Sequence, residues 1–284
     1  MKLGIALSGG GIKGIAHAGV LQALEENNIN IDIIGGTSSG GIIASLYAMG
    51  YSPKKILNLY KTNADGVTSF KTNPIISGLT NFFGRKKGKF IGFKTGESLE
   101  QSYTALAKEM QIEKISDIKM PLVIPAVDIS DSKEYIFTNY IPKNNKDNIE
   151  YITDISIGKA VRASSSFPAI FCPCSFKTHK FLDGGVLDNI PVSEVKKQGA
   201  TRVLAVNFEQ DLIDENSNLM DIAMHTIDIM GNKISKNNLD NSDFVLTIKT
   251  DKMGLLDTSK IDDCYNFGYK AALKNIDEIK SLLS

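Results

Sequence analysis

Twenty residues, Ile31–Gly50 (IDIIGGTSSGGIIASLYAMG), constrain the fold of this chain more than any other stretch. Ile31, Ile33 and Ile34 are β-branched and run into a glycine pair, the pattern of a buried strand. After the glycines, Ile42, Ile43, Leu46, Tyr47 and Met49 recur at helical spacing. Between them lies Gly36-Thr37-Ser38-Ser39-Gly40, a G-x-S-x-G sequence. A strand that turns sharply into a helix is the setting of a nucleophile elbow. Gly36 and Gly40 would let the backbone turn without a Cβ in the way. Ser38 would then stand at a helix N-terminus, where free N–H groups and the dipole favour developing negative charge. Taken alone, the segment is equally open to a Gly/Ser loop that binds nothing.

A second glycine cluster follows the first strand, Lys2–Leu7: Ser8-Gly9-Gly10-Gly11-Ile12-Lys13-Gly14. Gly9, Gly11 and Gly14 satisfy G-x-G-x-x-G, but the next strand ends in the serine turn, not in the acidic residue a dinucleotide needs. A Walker loop fails because Lys13 precedes Gly14 instead of Ser or Thr. The better reading is an oxyanion hole: backbone N–H groups of Gly9, Gly10, Gly11, Ile12, Lys13 and Gly14, completed by that of Ser39 after the candidate nucleophile.

Further along, Ile15–Glu26 reads as an amphipathic helix and Ser52-Pro53 opens another that runs to about Asn63. Ala64–Gly96 has no clear period and holds Phe82-Phe83-Gly84-Arg85-Lys86-Lys87-Gly88-Lys89-Phe90. This reads as an inserted lid whose aromatics and cations suit an anionic lipid surface, or as a solvated loop. Leu99–Glu109 is a helix, Pro121–Ile129 and Glu134–Thr138 are strands, and Ile155–Ser165 is a helix stopped at Phe167-Pro168. Phe181-Leu182 leads into Asp183-Gly184-Gly185, and Asn189-Ile190-Pro191 follows. Val203–Asn207 and Phe244–Ile248 are strands, Leu219–Ile234 a long helix and Asp262–Leu283 a closing one. Strands alternating with helices predict a mostly parallel sheet covered on both faces. No linker divides residues 1–284, so one α/β domain with a lid insertion at about 64–96 is expected.

Four stretches then align in order: GGGIKG (Gly9–Gly14), GTSSG (Gly36–Gly40), ASSSFP (Ala163–Pro168) and DGG (Asp183–Gly185). Together they resemble the patatin-like phospholipase family of lipid acyl hydrolases. The resemblance implies a three-layer α/β/α fold and a serine–aspartate dyad in place of a triad. It assigns Ser38 as nucleophile, Asp183 as base and the Gly9–Gly14 loop as oxyanion hole, with Gly36, Gly40, Gly184 and Gly185 completing the motifs. It implies a phospholipid or other acyl-lipid substrate; no cofactor or metal is expected, and the aromatic and cationic composition of residues 82–90 suggests peripheral membrane contact there. Lys13 stands where the family's loop often carries Arg, which leaves the backbone role intact.

The chemistry stands beside the resemblance. Serine is a weak nucleophile until a base takes its proton. An aspartate serves as that base where desolvation raises its basicity and an oxyanion hole carries much of the barrier. Of the three histidines, His17 lies behind the glycine loop, and His179 stands four residues before Asp183 on the same strand or its approach. His225 gives the order Ser…Asp…His, but it falls inside a helix, a poor place for a triad base. Lys+Arg and Asp+Glu are 32 each, which argues against nucleic acid as a partner. Three cysteines without paired spacing suggest structural thiols in a reducing compartment. The absence of ~20 consecutive apolar residues, and of a convincing signal peptide, predicts a cytoplasmic protein, with peripheral membrane contact left to the Phe82–Phe90 cluster. The competing reading is a non-catalytic anion- or membrane-binding protein using the glycine loop, which ester turnover lost in Ser38→Ala would exclude.

Overall fold

The computed structural model describes residues 1–68, 94–143, 149–168, 170–209, 219–250 and 258–283. Its strands are β1 (Leu3–Leu7), β2 (Ile33–Gly36), β3 (Leu122–Asp128), β4 (Lys133–Thr138), β5 (Glu150–Ile152), β6 (Cys174–Phe176), β7 (His179–Asp183), β8 (Arg202–Phe208) and β9 (Phe244–Ile248). The helices are α1 (Ile15–Glu26), α2 (Ser39–Ala48), α3 (Pro53–Thr68), α4 (Glu97–Glu109), α5 (Ile157–Ser164), α6 (Val192–Lys197), α7 (Leu219–Asp240), α8 (Ile261–Lys274) and α9 (Ile276–Ser281).

The sheet runs β5-β4-β3-β2-β1-β8-β9. From β3 through β2, β1 and β8 to β9 every neighbour is parallel; β4 pairs antiparallel to β3. Alternate side chains of a strand face opposite ways, and the core divides accordingly. Leu3, Ile5 and Leu7 of β1, Ile34 of β2 and Leu204 and Val206 of β8 join the larger apolar cluster with α1–α5 and α8. Ala6, Ile33, Val203 and Ala205 face the other way, against Val192 and Val195 of α6 and Leu239 of α7. The two clusters are the two sides of one sheet, so the three-layer α/β/α architecture is the one the alternating pattern predicts.

One topological detail positions the site. β4 occupies one edge of β3 from Val123 to Asp128, so the other edge is shared. β2 uses that edge only at Leu122 and Val123. Beyond it β7 arrives antiparallel, with Asp183 opposite Ala126 and Phe181 opposite Asp128. Pro125, which has no N–H to give a ladder, falls between the two blocks. The carboxyl end of β2 and that of β7 thus point at each other along one edge of β3.

Several boundaries differ from the sequence pattern. The third helix continues to Thr68, past the expected break at Ala64. It is already anchored by Ile56 and Tyr60 in the core, and an anchored helix propagates more easily than it starts. Residues 69–93, including the Phe82–Phe90 cluster, lie outside the described residues. α7 extends to Asp240, and the closing helix breaks at Asn275, whose Nδ2 donates to Ala271 O. β5 and β6 were not legible: three residues are too few to show a period.

Candidate active site

Ser38 caps the N-terminus of α2 with φ 54° and ψ −120°. A non-glycine residue held there stores about 1–3 kcal/mol of backbone strain, which the surroundings must overdetermine. They do so by close approach. A Cβ on Gly36 would stand 2.3 Å from Gly40 O, and one on Gly40 would stand 2.4 Å from Leu7 O. Both glycines of the motif are therefore needed for the turn to lie against β1. The Ser38 N–H donates to Ser164 Oγ at 3.0 Å. Thr37 Oγ1 donates to Asp188 O at 2.8 Å.

Asp183 ends β7 and is 2% exposed. Its Oδ1 accepts the Gly185 N–H at 2.8 Å, and its own N–H donates to Ser166 O at 3.1 Å. Gly184 must be bare, since a Cβ there would lie 2.5 Å from Pro125 O. One short segment, Ser164–Ser166 at the end of α5, therefore receives the main-chain N–H of both Ser38 and Asp183. That segment is itself anchored by the buried Arg162. Its guanidinium donates to Thr95 O, Cys172 O and Ser166 Oγ, and its cation stands over the Phe171 ring. Burial pulls the Arg162 pKa down from its ordinary value.

The glycine loop closes the site from the other side. A Cβ on Gly9 would come within 3.4 Å of Ser38 Cβ, and one on Gly14 within 2.5 Å of Ser39 Cβ. Gly11–Gly14 form a 3₁₀ turn in which Ile12, Lys13 and Gly14 are buried. Among the candidate oxyanion donors, Gly9 differs from the expectation. Its N–H is already given to Asn189 O and Oδ1, both at 3.2 Å. No hydrogen bond joins the N–H groups of Gly10, Gly11 and Ser39 to another described residue.

His17 is fully buried, its Nε2–H donating to Ser8 O at 2.9 Å. Burial lowers its pKa to about 4, so it packs behind the loop as a neutral ring. His179 lies on β7 as expected, but its Nδ1 is 2.6 Å from Asp128 Oδ2. His225 lies in α7, and its side chain is outside the described residues.

Sequence reading missed a second ring of groups. Asp188 Oδ1 accepts Asn238 Nδ2 at 2.8 Å and the Ile190 N–H at 3.2 Å. Around it, Glu194 accepts from Tyr151 Oη at 2.7 Å and from Lys197 Nζ at 2.8 Å. Burial first, then neighbouring carboxylates, pushes the pKa values of Glu134 and Asp188 upward. The available signals were an aspartate and asparagine just after DGG, and serines crowded before Phe167-Pro168. Among the described residues no group of His, Cys, Asp and Glu could hold a metal ion, and no helix is long and apolar enough to cross a membrane.

Comparison with known proteins follows the same outline. The family model described as "Patatin-like phospholipase" matches residues 5–196. A "Lysophospholipase NTE1" of Meyerozyma guilliermondii is 33% identical over 213 residues, which is 72% of this chain and 12% of that protein. A protein of the same name from Saccharomyces cerevisiae is 29% identical over 208 residues, 72% of this chain and 11% of its own length. The chain thus spans about one eighth of the curated relatives it matches. A structure of the ExoU-SpcU complex from the type III secretion system of Pseudomonas aeruginosa shares the fold, with a TM-score of 0.51 and 18% identity. The match covers 98% of this chain and 51% of that one.

Proposed function

Because the chain belongs to the patatin-like phospholipase family, we propose that it is a serine lipid acyl hydrolase of the phospholipase A or lysophospholipase type, working through Ser38 and Asp183. The observation that carries the reading is the double anchorage at Ser164–Ser166, which receives the N–H of both residues. The backbones of two residues far apart in sequence are thereby tethered to atoms two residues apart.

Ser38 Oγ attacks the ester carbonyl carbon while Asp183 accepts the hydroxyl proton. The resulting oxyanion is held by the N–H groups of Gly10, Gly11 and Ser39, aided by the N-terminal dipole of α2. Collapse breaks the ester C–O bond, and Asp183 returns the proton to the departing alcohol. Water then attacks the acyl-serine, again losing a proton to Asp183, which passes it to Ser38 Oγ as the fatty acid leaves. A carboxylate is a weaker base than imidazole, so the preorganised N–H groups carry much of the barrier. A phospholipid or lysophospholipid is the substrate class, reached by peripheral contact with a membrane through residues 82–90. No cofactor enters the scheme.

A soluble chromogenic ester tests the assignment. Ser38→Ala should abolish turnover, and Asp183→Asn should lower kcat by about 10³-fold or more. His225→Ala should keep most activity. An inactive His225→Ala would replace the dyad by a triad, and an active Asp183→Asn would remove Asp183 from the mechanism.

A further inference from the structure

The glycine loop and the aspartate turn are about 180 residues apart in sequence, yet the same side chain touches both. Asn189 Oδ1 accepts the Gly9 N–H at 3.2 Å, and the Asn189 main-chain O accepts the same N–H at 3.2 Å. The point where a Cβ of Gly9 would stand is 2.6 Å from Asn189 Oδ1 and 3.4 Å from Ser38 Cβ. The corresponding point on Gly185 is 3.1 Å from Asn189 Oδ1 and 3.1 Å from Asp183 Oδ1. The carboxamide is thus wedged between the loop and the aspartate turn, in a space that bare glycines leave open.

Asn189 is also held from behind. Its neighbour Asp188 accepts Thr37 Oγ1 from the elbow on its main-chain O, and Asn238 Nδ2 from α7 on its carboxylate. Gly231 of α7 packs over the turn, its absent Cβ 3.0 Å from Gly185 O and 3.8 Å from Asn189 Cβ. A side chain fixed by its own backbone on one side and bonded to a loop on the other sets where that loop lies.

Resting on the proposed serine mechanism, we infer that Asn189 is a positioning residue. It takes the Gly9 N–H out of the donor set and so holds the Gly10 and Gly11 N–H groups against Ser38. It does not touch the substrate; it fixes the distance between the oxyanion donors and the nucleophile. Loops that drift at such a site lose transition-state stabilisation and leave ground-state binding largely intact.

The test compares Asn189→Ala with wild type using a soluble ester and two inhibitors of equal chain length. One is an alkyl trifluoromethyl ketone, which forms a tetrahedral adduct with serine; the other is the unreactive alkyl methyl ketone. Positioning predicts a kcat about 10–100-fold lower with KM within about threefold, less than removal of an oxyanion donor outright. The trifluoromethyl ketone should weaken by the same factor while the methyl ketone binds as before. Gly9→Ala, which pushes the carboxamide away from the loop side, should give the same pattern and serves if Asn189→Ala does not fold. Unchanged kcat overturns the inference, as does equal weakening of both inhibitors, the mark of general disruption. Ser38→Ala in the same assay separates the two layers. If it is inactive while Asn189→Ala is normal, only the positioning role falls; if it turns over the ester, both fall.

Discussion

At the scale of single residues, Ser38 and His17 show how local chemistry is set by what surrounds it. Ser38 keeps an unfavourable backbone because Gly36 and Gly40 admit Leu7 O and the start of α2 at distances no Cβ would allow. The sharp turn was legible in the strand, glycine and helix pattern, although that segment alone left a plain Gly/Ser loop equally open. What the glycine pattern did not reveal was that Gly9 spends its N–H on Asn189, because a hydrogen bond between positions so distant in sequence leaves no local trace. His17 yields a pH prediction. Its pKa is about 4 when folded, against an ordinary value of 6.5, because burial disfavours the charged ring. A depressed value favours the folded state above the unfolded pKa, and the benefit is lost as pH falls from 6.5 towards 4. The full shift corresponds to about 3 kcal/mol. Melting curves between pH 7 and 4 should show this decline in wild type and a shallower one in His17→Gln, whose amide can still donate to Ser8 O. Equal slopes would contradict the buried neutral ring.

At the scale of elements, the packing of α8 against α1 depends on two glycines. A Cβ on Gly268 of α8 would stand 1.8 Å from Ala16 O of α1, and one on Gly19 of α1 would stand 2.0 Å from Tyr265 O. The two backbones meet with no side chain between them. Tyr269 Oη adds a hydrogen bond to Glu26 at 2.6 Å along the same seam. Gly268→Ala must therefore separate the helices, and overpacking of this kind costs about 1–3 kcal/mol. Thermal or urea unfolding should show that loss, although alanine is the better helix former; a variant as stable as wild type would mean that the helices do not cross this closely. β1 and β8 were readable as short apolar runs and α8 by its helical period, whereas α1, expected to be amphipathic, is buried continuously from Ile15 to Leu24 because both the sheet and α8 cover it. β5 and β6 were not legible, and neither was the break at Asn275, where a side-chain amide competes for a helical carbonyl.

For the whole molecule, the decisive step is the exchange of partners along β3. β2 leaves that edge after Val123 and β7 enters it at Ala126, so the elbow and the aspartate turn arrive from opposite directions at one place. The order of the four motifs anticipated that they belong together, and the family match over residues 5–196 bears out the resemblance. The route by which they meet was hidden, since a strand that runs against its neighbours looks like any other short apolar run. The proposed role of Asp183 as base is supported by this convergence and by the anchorage at Ser164–Ser166. The most direct measurement of that claim is the rate and site of labelling by a fluorophosphonate, read by intact mass and peptide mapping. A single adduct on Ser38 is expected in the wild-type protein, none in Ser38→Ala, and labelling slowed by orders of magnitude in Asp183→Asn. An adduct on another residue, or an Asp183→Asn variant labelled as fast as wild type, would contradict it.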